Sequence, residues 1–103
     1  MRTILNTTFN IDTCIEESWL FAMQCKYIPQ IRDTLLCEDI VFTRMMVEEE
    51  SGISFSLQLI FQDEERYALY VEKHYHPFLR AISNAFQNRM VYFSTTLKEI
   101  DYK

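Results

Sequence analysis

What most constrains this chain is the order in which its apolar residues change period. Thr3 to Ile11 alternates, with Leu5, Phe9, Ile11, Thr3 and Thr7 on one side and Ile4, Asn6, Thr8 and Asn10 on the other, which predicts a strand. The spacing then becomes helical: Ile15, Trp19, Ala22 and Met23 form a stripe. Asp12 or Thr13 stands ready to cap that helix, and Glu16 and Glu17 sit at the positive end of its dipole. In Tyr27-Ile28-Pro29 the proline disfavours helical geometry at Ile28 and removes a donor. The helix is therefore expected to bend or stop, with a short helical segment following through Ile31 and Leu35. Ile40 to Glu48 and Ile53 to Phe61 read as two strands joined by Glu49-Glu50-Ser51-Gly52, a hairpin. Asp63-Glu64-Glu65 heads a long helix with the inward stripe Tyr67, Tyr70, Val71, His74, Phe78, Ala81, Ile82 and Ala85, expected to kink at Pro77. Met90 to Leu97 alternates again, with Val91, Phe93 and Leu97 opposite Tyr92, Ser94 and Thr96.

The order βαββαβ, with right-handed crossovers, predicts an α+β ferredoxin-like sandwich over residues 1–103 as one domain. It has one four-stranded antiparallel sheet with two helices on one face. The helix-covered face is expected to carry Leu5, Phe9, Ile40, Phe42, Phe55, Leu57, Leu59, Val91 and Phe93. The other phase comprises Ile4, Asn6, Thr8, Asn10, Val41, Thr43, Met45, Val47, Ser54, Ser56, Gln58, Ile60, Tyr92, Ser94 and Thr96. A solvated sheet face normally carries charge, and this set carries none, so something is expected to cover it. The simplest cover is a second copy of the chain packed sheet against sheet about a twofold axis, as in dimeric α+β barrels.

Composition narrows the function classes. A single glycine, Gly52, excludes phosphate-cradling loops and dinucleotide folds, which need several. Ten basic against 15 acidic residues, net −5 and without a basic run, argue against a nucleic-acid partner. An apolar content of 49% excludes disorder, and no 18-residue apolar stretch predicts a membrane helix. The start turns polar too soon for a secretion signal, so a cytoplasmic protein is expected. Cys14, Cys25 and Cys37 lack metal or disulfide spacing, which suits idle thiols in a reducing compartment. On one helix, Cys14 and Cys25 would lie about 16 Å apart along the axis, beyond the reach of a disulfide.

Candidate chemistry is sparse. In Lys73-His74-Tyr75-His76-Pro77 the two histidines stand two residues apart, about 200° around a helix, and would not share a metal. No protein-bound metal or cofactor is expected. His74 falls on the inward stripe as a structural histidine or a general base. Arg44 shares its phase with Ile40 and Phe42 and needs either a carboxylate or anion partner, or water at the sheet edge. Trp19, Tyr27, Tyr67 and Tyr70 are core residues or the walls of a pocket for a flat ligand. Cys37, beside Glu38 and Asp39, is expected to have a raised pKa. Glu48-Glu49-Glu50 reads as a solvated hairpin tip.

Several of these segments, taken in order, resemble a family of small uncharacterised bacterial proteins, a domain of unknown function with a ferredoxin-like, dimeric α+β barrel type of fold. The resemblance rests on Asn6-Thr7-Thr8-Phe9 with Ile11-Asp12, Tyr27-Ile28-Pro29, Arg44, Ser54 through Ser56-Leu57-Gln58, and Phe93, Thr95 or Thr96, and Glu99-Ile100. Where the family typically has a glycine before the last strand, this chain has Gln87-Asn88-Arg89, and Asn88 is the residue suited to a left-handed conformation. The resemblance implies the fold and no catalytic residues. Two functions compete. One is a homodimeric binding or interaction module, with a small-molecule ligand as one option and no assignable catalysis. The alternative is a cofactor-independent oxygenase or isomerase acting on a small anionic or aromatic substrate between sheet and helices, with His74 as base and Arg44 as anion holder. Convergence of His74, Arg44 and Trp19 on one enclosed pocket of at least ~300 Å³ separates them.

Overall fold

The computed structural model describes residues 1–46 and 52–103. Strands β1 (Thr3–Ile11), β2 (Asp39–Arg44), β3 (Ile53–Phe61) and β4 (Met90–Lys98) form one antiparallel sheet in the order β2-β3-β1-β4. Two helical arms pack on one face. The first is α1 (Glu16–Ala22), a π-helical turn at Met23–Tyr27, and α2 (Ile28–Asp33); the second is α3 (Glu64–Tyr70), a π-helical turn at Val71–Tyr75, and α4 (His76–Ala85). This is the ferredoxin-like α+β fold expected from the sequence. The shortest dimension is 19 Å, two layers deep, and among the described residues nothing covers the far side of the sheet.

Neither proline stops its arm. Tyr27, Ile28, Tyr75 and His76 all keep right-handed helical angles. Each π turn ends two residues before its proline, in Tyr27-Ile28-Pro29 and in Tyr75-His76-Pro77. A proline lacks the N–H that would bond back one turn, and its ring crowds the carbonyl four residues earlier; a turn one residue wider absorbs both defects. The inserted residue also rotates the inward stripe. In the second arm Tyr70, Tyr75, Phe78, Leu79 and Ile82 are buried, while His74 is half-buried and Ala81 and Ala85 are exposed. The core joins these residues to Trp19, Met23, Tyr27, Ile28 and Ile31 of the first arm and to Leu5, Phe9, Ile11, Phe55, Leu57, Leu59 and Phe61 of the sheet.

The helix ends use different devices. Asp63 accepts from the Arg66 backbone N–H at 2.9 Å, the acidic cap expected there. Asp12 caps nothing with its side chain: the first arm is entered through a 3₁₀ turn at Thr13–Ile15, and the Asp12 carboxylate lies 3.4 Å from Arg89 Nη1. Asn88 takes the left-handed conformation (φ 63°) before β4. The hairpin tip Glu48-Glu49-Glu50, with Val47 and Ser51, lies outside the described residues. Gly52 (φ 140°) proves to be less a turn residue than a point of close approach, since a Cβ there would stand 2.4 Å from the Ile11 carbonyl oxygen of β1.

One strand faces the opposite way from the sequence expectation. Residues directly opposite in an antiparallel pair share a face. In the register of β1 with β4, Val91, Phe93 and Leu97 lie beside Asn10, Thr8 and Ile4 on the uncovered face. Tyr92, Ser94 and Thr96 lie beside Phe9, Thr7 and Leu5 under the helices, not on the open face. The assumption that the more apolar phase points at the helices fails here, because what the helices present to β4 is polar. Beneath the helices it meets tyrosine hydroxyls: Tyr75 with Ser94 and Tyr67 with Thr96.

Candidate functional site

Two surfaces compete for a functional role, the uncovered sheet face and the helix layer. On the sheet face, β1 and β3 contribute a polar centre whose groups bond to one another. Ser56 Oγ donates to Asn6 Oδ1 at 2.6 Å, Asn6 Nδ2 to Thr8 Oγ1 at 3.3 Å, and Asn10 Nδ2 to Ser54 Oγ at 3.1 Å. Groups satisfied in this way lose little when water is removed from them. Val91, Phe93 and Leu97 of β4 flank that centre with 67%, 62% and 42% of their surface exposed, and Val41, Thr43 and Met45 flank it on the β2 side. At one end the face carries charge, where Arg2 donates to Glu99 at 2.7 and 3.0 Å and lies 3.9 Å from Glu38. The Glu99 carboxyl is held below its ordinary range first by that hydrogen bond.

In the helix layer, Tyr75 links both layers of the fold. Its hydroxyl hydrogen-bonds Thr7 Oγ1 at 2.6 Å and Ser94 Oγ at 2.5 Å. Tyr67 hydrogen-bonds Thr96 Oγ1 at 2.9 Å, and Lys98 Nζ reaches Glu64 Oε1 at 2.9 Å. Between the two arms runs an open cleft of about 190 Å³ lined by Tyr27, Gln30, Ile31 and Thr34 of the first arm and by Tyr70, His74, Pro77, Phe78 and Ala81 of the second. The edge-to-face contact of Tyr27 with Phe78, centroids 5.7 Å apart, ties the arms together, and Tyr70 stacks on His74 at 5.8 Å. The Tyr70 hydroxyl is buried without a hydrogen-bond partner, and burial, followed by Cys37 and Tyr75, raises its pKa.

The cleft brings together His74, Tyr27 and Tyr70 of the residues anticipated from sequence, and leaves out the others. Trp19 is fully buried among Phe9, Phe42 and Phe55, with Nε1 donating to Met90 Sδ at 3.2 Å. Arg44 is exposed and finds its carboxylate in Glu16, at 3.7 Å. Tyr67 lines a different cleft, with Thr3, Glu64, Ala68, Thr96, Leu97 and Lys98. The convergence of His74, Arg44 and Trp19 that an oxygenase or isomerase reading required is therefore not assembled. Cys37 is half-buried and its thiol is pushed up to about 11 by burial. Gln30 and Ala81 were not anticipated as lining residues. Their signal lay in the repeated Tyr-x-Pro, which marks the two wide turns that rotate this part of each arm toward the other.

A family model described as a domain of unknown function, DUF4286, matches residues 2–100. The chain belongs to the DUF4286 family. No curated protein matches it. Solved structures share the fold of this DUF4286 protein at low identity. An ethyl tert-butyl ether d (EthD) family protein from Bacillus halodurans C-125 is 10% identical, TM-score 0.71, with 95% of this chain and 99% of that one covered. An antibiotic biosynthesis monooxygenase is 13% identical, TM-score 0.65, covering 98% and 100%. A dimeric ferredoxin-like protein from an uncultured marine organism is 10% identical, TM-score 0.63, covering 96% and 98%. Among the described residues no helix is long and apolar enough to cross a membrane.

Proposed function

We propose that this DUF4286 protein works as a single-domain homodimeric binding module, two copies meeting through their uncovered sheet faces in a reducing, cytoplasmic setting. The observation that carries this reading is the orientation of β4, whose more apolar phase, Val91, Phe93 and Leu97, is turned away from the chain's own core. Apolar side chains on a face without its own cover are stabilised by association, at roughly 25 cal/mol per Å² removed from water. A second copy is the occupant that fits. The middle of the face is uncharged and internally hydrogen-bonded, so it presents itself with no like charges to oppose and few polar groups to leave unpaired. The likeness in fold to a dimeric ferredoxin-like protein supports a dimer. Three free cysteines, two of them exposed, support a reducing compartment.

Light scattering coupled to size exclusion tests the proposal. A mass of twice 12.4 kDa at micromolar concentration is the expected result. A mass of 12.4 kDa under those conditions overturns it.

A further inference from the structure

We propose that the cleft between the two helical arms is a binding site for a neutral, single-ring aromatic molecule carrying a hydroxyl group, of which phenol is the simplest member. The size sets the upper limit. About 190 Å³ is little more than the ~150 Å³ that holds benzene in an apolar protein cavity, leaving room for one ring and a small substituent. The walls set the shape. Phe78, Pro77 and the stacked pair Tyr70–His74 are flat surfaces, and a planar guest can lie against them where a branched aliphatic one cannot.

The polar groups set the chemistry. Among the described residues no Lys, Arg, Asp or Glu lines the cleft, so an ionised guest would lose its hydration without gaining a counter-charge. Polar groups with no protein partner are present, however. Tyr27 is only 4% exposed and makes no hydrogen bond among the described residues, and the His74 ring makes none either. The Tyr70 hydroxyl is likewise buried and unpartnered. Buried hydroxyls in folded proteins are almost always paired, and the unpaired Tyr70 hydroxyl belongs to a residue that lines this cleft with Tyr27 and His74. An imidazole and a tyrosine hydroxyl both hydrogen-bond, and a guest hydroxyl, which both donates and accepts, can satisfy either. Two wide helical turns, a feature frequent at functional sites, place these groups opposite one another. The cleft lies in the helix layer, on the other side of the sheet from the uncovered face, so its test is independent of the dimer.

Phenol, toluene and benzoate are titrated into the full chain by isothermal calorimetry, with backbone and ring NMR shifts locating the binding. Phenol should bind saturably below about 10 mM, at least about tenfold more tightly than benzoate. Its shifts should centre on Tyr27, Gln30, His74 and Ala81. Ala81→Phe, which fills the cleft from an exposed position, should weaken phenol at least about tenfold, and Tyr27→Phe about fivefold while leaving toluene unchanged, the effect of one neutral hydrogen bond. Absence of saturable phenol binding overturns the proposal, as do benzoate binding equal to phenol or shifts centred on Val91 and Phe93. Should Ala81→Phe fail to fold, the shift map of the native chain and the Tyr27→Phe comparison decide alone.

Discussion

At the scale of single residues, three backbone and side-chain environments carry measurable consequences. Leu35 follows α2 in the left-handed conformation, φ 61°, with its side chain exposed. A branched side chain gains nothing there and strains the backbone, so Leu35→Gly should raise stability by about 0.5–1 kcal/mol and the melting temperature by several degrees. A melt unchanged or lowered in calorimetry would refute the strain. Gly52→Ala should act the other way, losing about 2 kcal/mol or more in urea denaturation, because its Cβ meets backbone and not a flexible side chain. Cys37 connects to pH. The folded thiol keeps its proton to about 11 while an unfolded one loses it near the ordinary 9.0. Between those values the folded chain holds more protons, so stability falls as pH rises through that window. Tyr70, raised by burial, adds in the same direction at higher pH. Cys37→Ala should flatten the decline between about pH 9 and pH 10, and an unchanged slope in urea midpoints would assign it elsewhere.

At the scale of elements, the difference between β1 and β4 explains how much of the fold could be read from sequence. β1, β2 and β3 each send their more apolar phase to the helices, where it joins the core. β4 has an apolar phase of equal clarity that serves the opposite face, and periodicity alone carries no sign telling one face from the other. The helical arms were legible as elements but not in phase. Each proline was visible as a perturbation, and the wide turn before it, which shifts burial from His74 to Tyr75, was not. Tyr75 is accordingly the residue whose removal should loosen β4 from the helix layer. Tyr75→Phe leaves the buried Thr7 hydroxyl and Ser94 without their shared partner and should cost about 1–3 kcal/mol. It should also speed amide exchange in β4 more than in β3. Uniform acceleration across the sheet would show that Tyr75 supports the core generally and not this edge.

At the scale of the whole molecule, what the sequence made legible of the sheet face was its lack of charge; the apolar flank was missing from that picture, having been assigned to the core. The corrected register makes the face more apolar than the sequence reading had it and puts Phe93 on it in place of Tyr92. Within one chain Phe93 is 62% exposed and lies outside the core, which makes it a clean probe. Phe93→Glu should leave the monomer's fold intact, since the change is made on an exposed strand surface. In a dimer with the two sheets face to face, the same change puts one carboxylate into the contact from each copy, related by the twofold axis, and desolvates both. The native chain should then melt at a temperature that rises with protein concentration, as expected when folding and association are linked, and Phe93→Glu should abolish that dependence together with the dimer mass. An Arg2→Ala change at the charged end of the face, where exposed ion pairs contribute little, should leave the dimer in place. If Phe93→Glu remains a dimer with native circular dichroism, the two copies meet elsewhere and the uncovered sheet belongs to a different partner.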